Sequence, residues 1–132
     1  MSRILARLDE LYAIGQHRAG YSAEEDAAHE LTSRWLREAG LEVTSDDAGN
    51  LFGRRGEARV WSGSHLDSVP TAGRFDGALG VVAAIEAAER LPGSPLAVSP
   101  EPMSISGIPK LSGPTPVLRP MVAGSTSASR PF

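Results

Sequence analysis

The residues best suited to chemistry lie in one stretch, Gly63-Ser-His-Leu-Asp-Ser-Val-Pro-Thr-Ala-Gly-Arg-Phe-Asp-Gly77. His65 and Asp67 are two positions apart, so at a strand end their side chains point to the same side. A neutral imidazole can ligate a divalent metal through one nitrogen while a carboxylate holds the N–H of the other and fixes the tautomer. Asp67 is spaced for that supporting role. Asp76 stands just ahead of an apolar, helix-like run, and its two oxygens can bridge a pair of metal ions about 3.5–4 Å apart. Gly73 and Gly77 let the chain turn tightly around it. The same residues also have plainer uses. A His-x-Asp pair in a loop can make only a local hydrogen bond, and an aspartate before a helix can be its N-cap. Spacing alone leaves both readings open.

Positioning such residues requires a scaffold, and the periodicity supplies one. Ile4, Leu5, Leu8, Leu11 and Tyr12 recur at helical spacing, predicting a helix from about Ser2 to Ile14 stopped by Gly15. Gln16 to Tyr21 reads as a loop. Ser22-Ala-Glu-Glu25 fits a capping box, with Glu24, Glu25 and Asp26 at the positive end of the helix dipole. Ala28, Leu31, Trp35 and Ala39 form that helix's apolar face, and Gly40 ends it. Leu41 to Thr44 reads as a strand, Asp46-Asp-Ala-Gly-Asn50 as a turn, and Leu51-Phe52 as the start of a returning strand. Arg59 to Ser62 reads as a third strand and Gly77 to Leu91 as a third helix, with Val81, Val82, Ile85 and Ala88 inward. This order predicts an α/β fold of helices packed on a mixed sheet. Its reactive loop would lie beyond a strand's carboxyl end, where open α/β sheets bind ligands. His17 and His29 read as solvated, Trp35 and Trp61 as packing residues, and Arg54-Arg55 as an isolated pair.

Composition narrows the function classes. The chain has 132 residues, a formal net charge of −3 and no cysteine. A broadly basic nucleic-acid binder, a disulfide scaffold and a thiolate metal site are thereby excluded. No apolar run approaches the ~20 residues of a membrane-spanning helix, and the start of the chain lacks the features of an export signal. The expected compartment is the cytoplasm. Composition breaks near Leu91. Residues 92–132 hold nine of the ten prolines, eight serines and one acid, Glu101. Proline fixes φ and removes a donor, so this segment is expected to be an irregular tail without a long helix or a central strand. The domain reading is a folded part over 1–91 and a Pro/Ser-rich tail over 92–132, disordered or shifted in reading frame.

Gly63-Ser-His-Leu-Asp-Ser-Val-Pro70 followed by Gly73-Arg-Phe-Asp-Gly-Ala-Leu-Gly-Val81 resembles the metal-dependent amidohydrolases of the M20 peptidase group. The similarity is to the branch of N-carbamoyl-L-amino-acid hydrolases, allantoate amidohydrolases and β-ureidopropionases. Ala13-Ile-Gly15, Tyr21-Ser-Ala-Glu-Glu-Asp26, Trp35-Leu-Arg-Glu-Ala-Gly-Leu41 and Asp47-Ala-Gly-Asn-Leu51 agree in order, so the resemblance runs from about Arg3 to Leu91. It implies that His65 ligates one metal, that Asp76 bridges two, and that Asp67 orients His65. It further implies two divalent ions, zinc or manganese with cobalt or nickel as alternatives, and hydrolysis of a non-peptide C–N bond in a small amide or ureido substrate. No nucleic-acid or membrane partner is implied; a homodimer is, through a separate dimerisation domain.

Members of this family carry an Asp-Glu-Glu-type motif after the third helix, with the general base and a further ligand, and more histidine ligands later. After Leu91 this chain has neither. The expectation is therefore an N-terminal part of the catalytic domain, inactive as written. The codons for Pro102 to Leu111, read one base earlier, permit Asp-Glu-His-Gln-Arg and then Tyr-Pro-Glu-Thr, which fits a shifted frame. The alternative is a non-catalytic α/β unit that binds metal weakly or associates with other chains.

Overall fold

The computed structural model describes residues 2–100, together with the backbone of 119–120. Helix α1 spans Arg3–Ile14 and α2 spans Ala23–Glu38. Strands β1 (Glu42–Ser45) and β2 (Leu51–Arg55) follow, then β3 (Trp61–Gly63), α3 (Ala78–Arg90) and β4 (Leu96–Ser99). A two-residue strand, β5, lies at Arg119–Pro120.

The sheet order is β3-β4-β2-β1-β5. β1 and β2 form an antiparallel hairpin with Val43 opposite Gly53, β2 runs antiparallel to β4, and β3 runs parallel to β4. The sheet is therefore mixed, and β3-α3-β4 is a parallel crossover unit. One apolar core joins the helices to the sheet. It includes Leu8 and Leu11 of α1, Leu31, Trp35 and Leu36 of α2, Val81, Val82 and Ile85 of α3, and Val43, Leu51 and Val98 of the strands. α2 lies against β1 and β2, α3 against β3 and β4, and α1 rests on both helices.

The local signals act much as the residues suggest. Ser22 caps α2 by accepting a hydrogen bond from the Glu25 N–H at 3.2 Å. The Glu25 carboxylate turns back one residue further than a standard capping box and accepts from the Tyr21 N–H. Asp46 closes its turn by accepting from the Ala48 and Asn50 amides, at 3.0 and 2.9 Å.

Two expectations are corrected. The irregular segment expected from Pro92 contains β4, which is central in the sheet, so the boundary expected at Leu91 falls inside the folded unit. Proline density over the whole segment was the wrong guide. Leu96-Ala-Val-Ser99 fits between Pro95 and Pro100 without a proline, and Ala97, Val98 and Ser99 are buried as an interior strand requires. The third strand also starts later than Arg59. Its ladder opens where Ala97 N–H donates to Val60 O at 2.9 Å, so pairing with β4 sets its place. In the same tail, Pro120 pairs at the outer edge of β1, where a missing donor is tolerated. The remaining tail expectations, residues 101–118 and 121–132 with Glu101 and the frame-shift reading, lie outside the described residues.

The charges of α1 are not all solvated. Arg7 and Glu86 are buried, joined at 3.0 Å, and Arg7 also meets Glu89 at 2.8 Å. Arg3 joins Glu86 at 2.6 Å from the exposed side. Arg7 lies over the Trp35 ring, 5.2 Å from its centroid. The hydrogen bond from Arg3, aided by the charges of Arg3, Arg7 and Arg90, holds the Glu86 carboxyl below its ordinary range against the opposing effect of burial. No helix among the described residues is long and apolar enough to cross a membrane.

Candidate functional site

The loop from Ser64 to Gly77 leaves the carboxyl end of β3 and leads into α3. Its approach to the helix depends on residues without side chains. At Gly63 a Cβ would overlap the Ser99 carbonyl, which is 3.2 Å from the Ser64 N–H. At Gly80 a Cβ would come within 2.6 Å of Ser64 Cβ. Gly77 is the most constrained. Its φ is +68°, and a Cβ there would strike the His65 carbonyl and stand 2.6 Å from ring atoms Cε1 and Nδ1. The first turn of α3 is thus seated on His65, and Asp76 is the residue next to that contact.

His65 is partly open, its side chain 32% exposed. Its Nδ1 is 3.0 Å from the main-chain carbonyl of Asp67 and 3.2 Å from Asp67 Oδ1. A carbonyl oxygen only accepts, so in the neutral ring Nδ1 carries the proton and Nε2 the lone pair. Oδ1 is buried and has no well-directed donor among the described residues, because the Nδ1–H points at the carbonyl. Asp67 therefore borders the imidazole with two oxygens and turns Nε2 away from itself. The Asp76 carboxylate is exposed, and it does not cap α3: the cap position is Gly77, and no side chain closes it. The N-cap use of Asp76 is not realised. His17 is exposed and His29 is half-buried on α2.

Sequence reasoning passed over Arg18. This arginine is 2% exposed, midway along the loop between α1 and α2. Its Nε donates to Leu66 O at 2.8 Å, and its Nη1 donates to Gly15 O at 2.6 Å and lies 3.4 Å from Leu11 O. Burial pushes its guanidinium below the ordinary arginine range, and the Asp67 carboxylate pulls it back up. A lone arginine in a glycine-flanked loop carries no periodic signal, so nothing in the sequence distinguishes it from a solvated one.

Among the described residues no group of three or more His, Asp or Glu is arranged to hold a metal ion. His65 Nε2 and the Asp76 carboxylate are two donors of types that suit zinc or manganese; a closed site needs about four. By donor type, these two residues would supply about half of such a set.

No family model matches the chain. It is 51% identical over 77 residues to an N-carbamoyl-L-amino-acid amidohydrolase from Pseudomonas sp. (strain NS671), covering 54% of this chain and 19% of that protein. It is 42% identical over 100 residues to an N-carbamoyl-L-amino acid amidohydrolase from Geobacillus stearothermophilus, covering 67% of this chain and 24% of that one. A crystal structure of a hydantoinase/carbamoylase family amidase from Burkholderia ambifaria superposes with a TM-score of 0.68 and 33% identity, covering 74% of this chain and 28% of that one. The chain spans about a quarter or less of the length of the curated relatives it matches. In sequence and in structure, its folded part is related to the hydantoinase/carbamoylase branch of the M20-group amidohydrolases.

Proposed function

We propose that residues 2–100 form one wall of a metal-dependent active site, and that the whole protein hydrolyses a non-peptide C–N bond in a carbamoyl or ureido compound. The observation that carries this reading is the seating of Gly77 on His65, beside an Asp67 that holds the imidazole with Nε2 free. His65 Nε2 and the Asp76 carboxylate would be ligands, and zinc or manganese in a cytoplasmic enzyme is the preferred assignment. When bound, the metal pair supplies Lewis acidity: it polarises a carbonyl and makes water a stronger acid. The chain's own contribution is positional. Asp67 keeps the imidazole in one tautomer, and the glycine contacts bring the start of α3 to it.

Metal-dependent melting of the full 132-residue chain tests the proposal. A ligand that binds only the folded state stabilises it. In a domain near 100 residues, a site of this kind should raise the midpoint by about 6–11 °C when Zn²⁺ or Mn²⁺ is at about ten times its dissociation constant. His65→Ala should abolish the rise. The second reading, a non-catalytic α/β unit, is favoured by the absence of a three-donor group among the described residues. In the form that only associates with other chains, it predicts no His65-dependent rise.

A further inference from the structure

We propose that Arg18 is a positioning residue for the His65–Asp67 pair: its guanidinium pins the peptide plane before Asp67, and its main-chain carbonyl, held in place by the same anchored side chain, pins the plane after it. The plane before Asp67 carries the Leu66 carbonyl, which accepts from Arg18 Nε at 2.8 Å. The plane after Asp67 carries the Asp67 carbonyl and the Ser68 N–H. That N–H donates to the Arg18 main-chain carbonyl at 2.8 Å. The opposite edge of the same plane is the carbonyl that faces His65 Nδ1 at 3.0 Å. A rotation of that plane would turn the acceptor away from the imidazole and release its tautomer.

The clamp is doubled and anchored. Ser68 Oγ accepts from Arg18 N–H at 3.0 Å and donates to Gln16 O at 3.1 Å, so the two loops meet through three hydrogen bonds besides that of the guanidinium. Arg18 Nη1 fastens the assembly to the end of α1 through Gly15 O and Leu11 O. Arg18 and Ser68 are both buried, so water does not compete for these bonds. An arginine suits this place better than a lysine: its planar fork can serve several carbonyls at fixed angles, and it stays charged when buried beside a carboxylate.

The proposal deepens the metal reading and rests on it for purpose, yet its test needs no metal. The tautomer of His65 is read from the imidazole nitrogen resonances of the full chain at a fixed neutral pH. The wild type should show Nδ1–H. Arg18→Gln, with amide dispersion and helix content retained, should show a mixture of the two tautomers. Its affinity for Zn²⁺ should fall about tenfold, the size typical of losing a partner that orients a ligand. A folded Arg18→Gln chain that keeps Nδ1–H and the wild-type affinity overturns the proposal. If Arg18→Gln does not fold, Ser68→Ala decides. It removes only the hydroxyl's two bonds and should move the tautomer in the same direction by a smaller amount; no movement overturns the proposal. If the tautomer responds to Arg18 but the wild type binds no Zn²⁺ at His65, the positioning role stands and the metal reading fails.

Discussion

The carboxyl end of α3 and the loop that leads to its amino end are each held by an arginine, with different results. At the carboxyl end, Arg55 donates to the carbonyls of Ala39, Ala88, Leu91 and Ser94, between 2.6 and 3.0 Å. It joins the last turns of α2 and α3 to β2, satisfying carbonyls that helix ends leave unpaired and placing a cation where the helix dipoles favour one. In the loop, Arg18 also serves main-chain carbonyls, but they belong to the end of α1 and to the segment that carries His65 and Asp67. The Arg55 clamp joins regular elements to one another, and its product is stability. The Arg18 clamp joins a regular element to an irregular loop, and its product is the direction of an imidazole. The difference teaches that an arginine's role follows from what its carbonyl partners carry, not from the number of its bonds.

The most damaging way to break the amino end is Gly77→Ala. A Cβ there meets the His65 carbonyl and ring at a φ of +68°. Strain and overpacking together should cost roughly 3 kcal/mol and remove any metal response. Denaturant unfolding with and without Zn²⁺ measures both. At the carboxyl end, Arg55→Met should cost about 2 kcal/mol by orphaning helix-end carbonyls. Its Zn²⁺-dependent midpoint rise should equal that of the wild type, which separates the two ends. An equal loss of metal response in Arg55→Met would show that the ends are not independent. The smallest effect concerns the ion pairs between the ends. Glu86 has a depressed pKa, so its contribution is present above the ordinary carboxylate value of 4.5 and is lost as pH falls through the folded value. Glu86→Gln should cost about 1 kcal/mol at neutral pH, and less as the pH drops, so its acid-unfolding curve should be flatter. Thermal melts across that pH range would show the flattening, and parallel curves would refute it.

The helices were legible because each buries a stripe with a 3.6-residue period: Leu8 and Leu11, then Ala28, Leu31 and Trp35, then Val81, Val82, Ile85 and Ala88. The hairpin was legible through its turn at Asp46 to Asn50. The strands β3 and β4 were misplaced or missed for one reason. They are short, they pair with each other across α3, and that partnership lies in neither segment's own residues. The candidate site was legible as a loop, since His65, Asp67 and Asp76 stand in a dense run of turn formers. Its support was not. Gly63, Gly77 and Gly80 fit contacts that only the folded chain defines, and Arg18 and Arg55 act on carbonyls, which leave no trace in side-chain pattern. The burial of Arg7 with Glu86 escaped for the same cause: the partners sit on helices that are distant in sequence.

The most direct test of the central claim is a Zn²⁺ titration of the full 132-residue chain, followed through the imidazole nitrogens of its three histidines. The result expected is a shift at Nε2 of His65 alone, with its Nδ1 proton kept and His17 and His29 unmoved. A chain in which no His65 nitrogen responds, or in which the change falls on His17 or His29 instead, would contradict the assignment of the Gly63–Gly77 loop as a metal-binding wall.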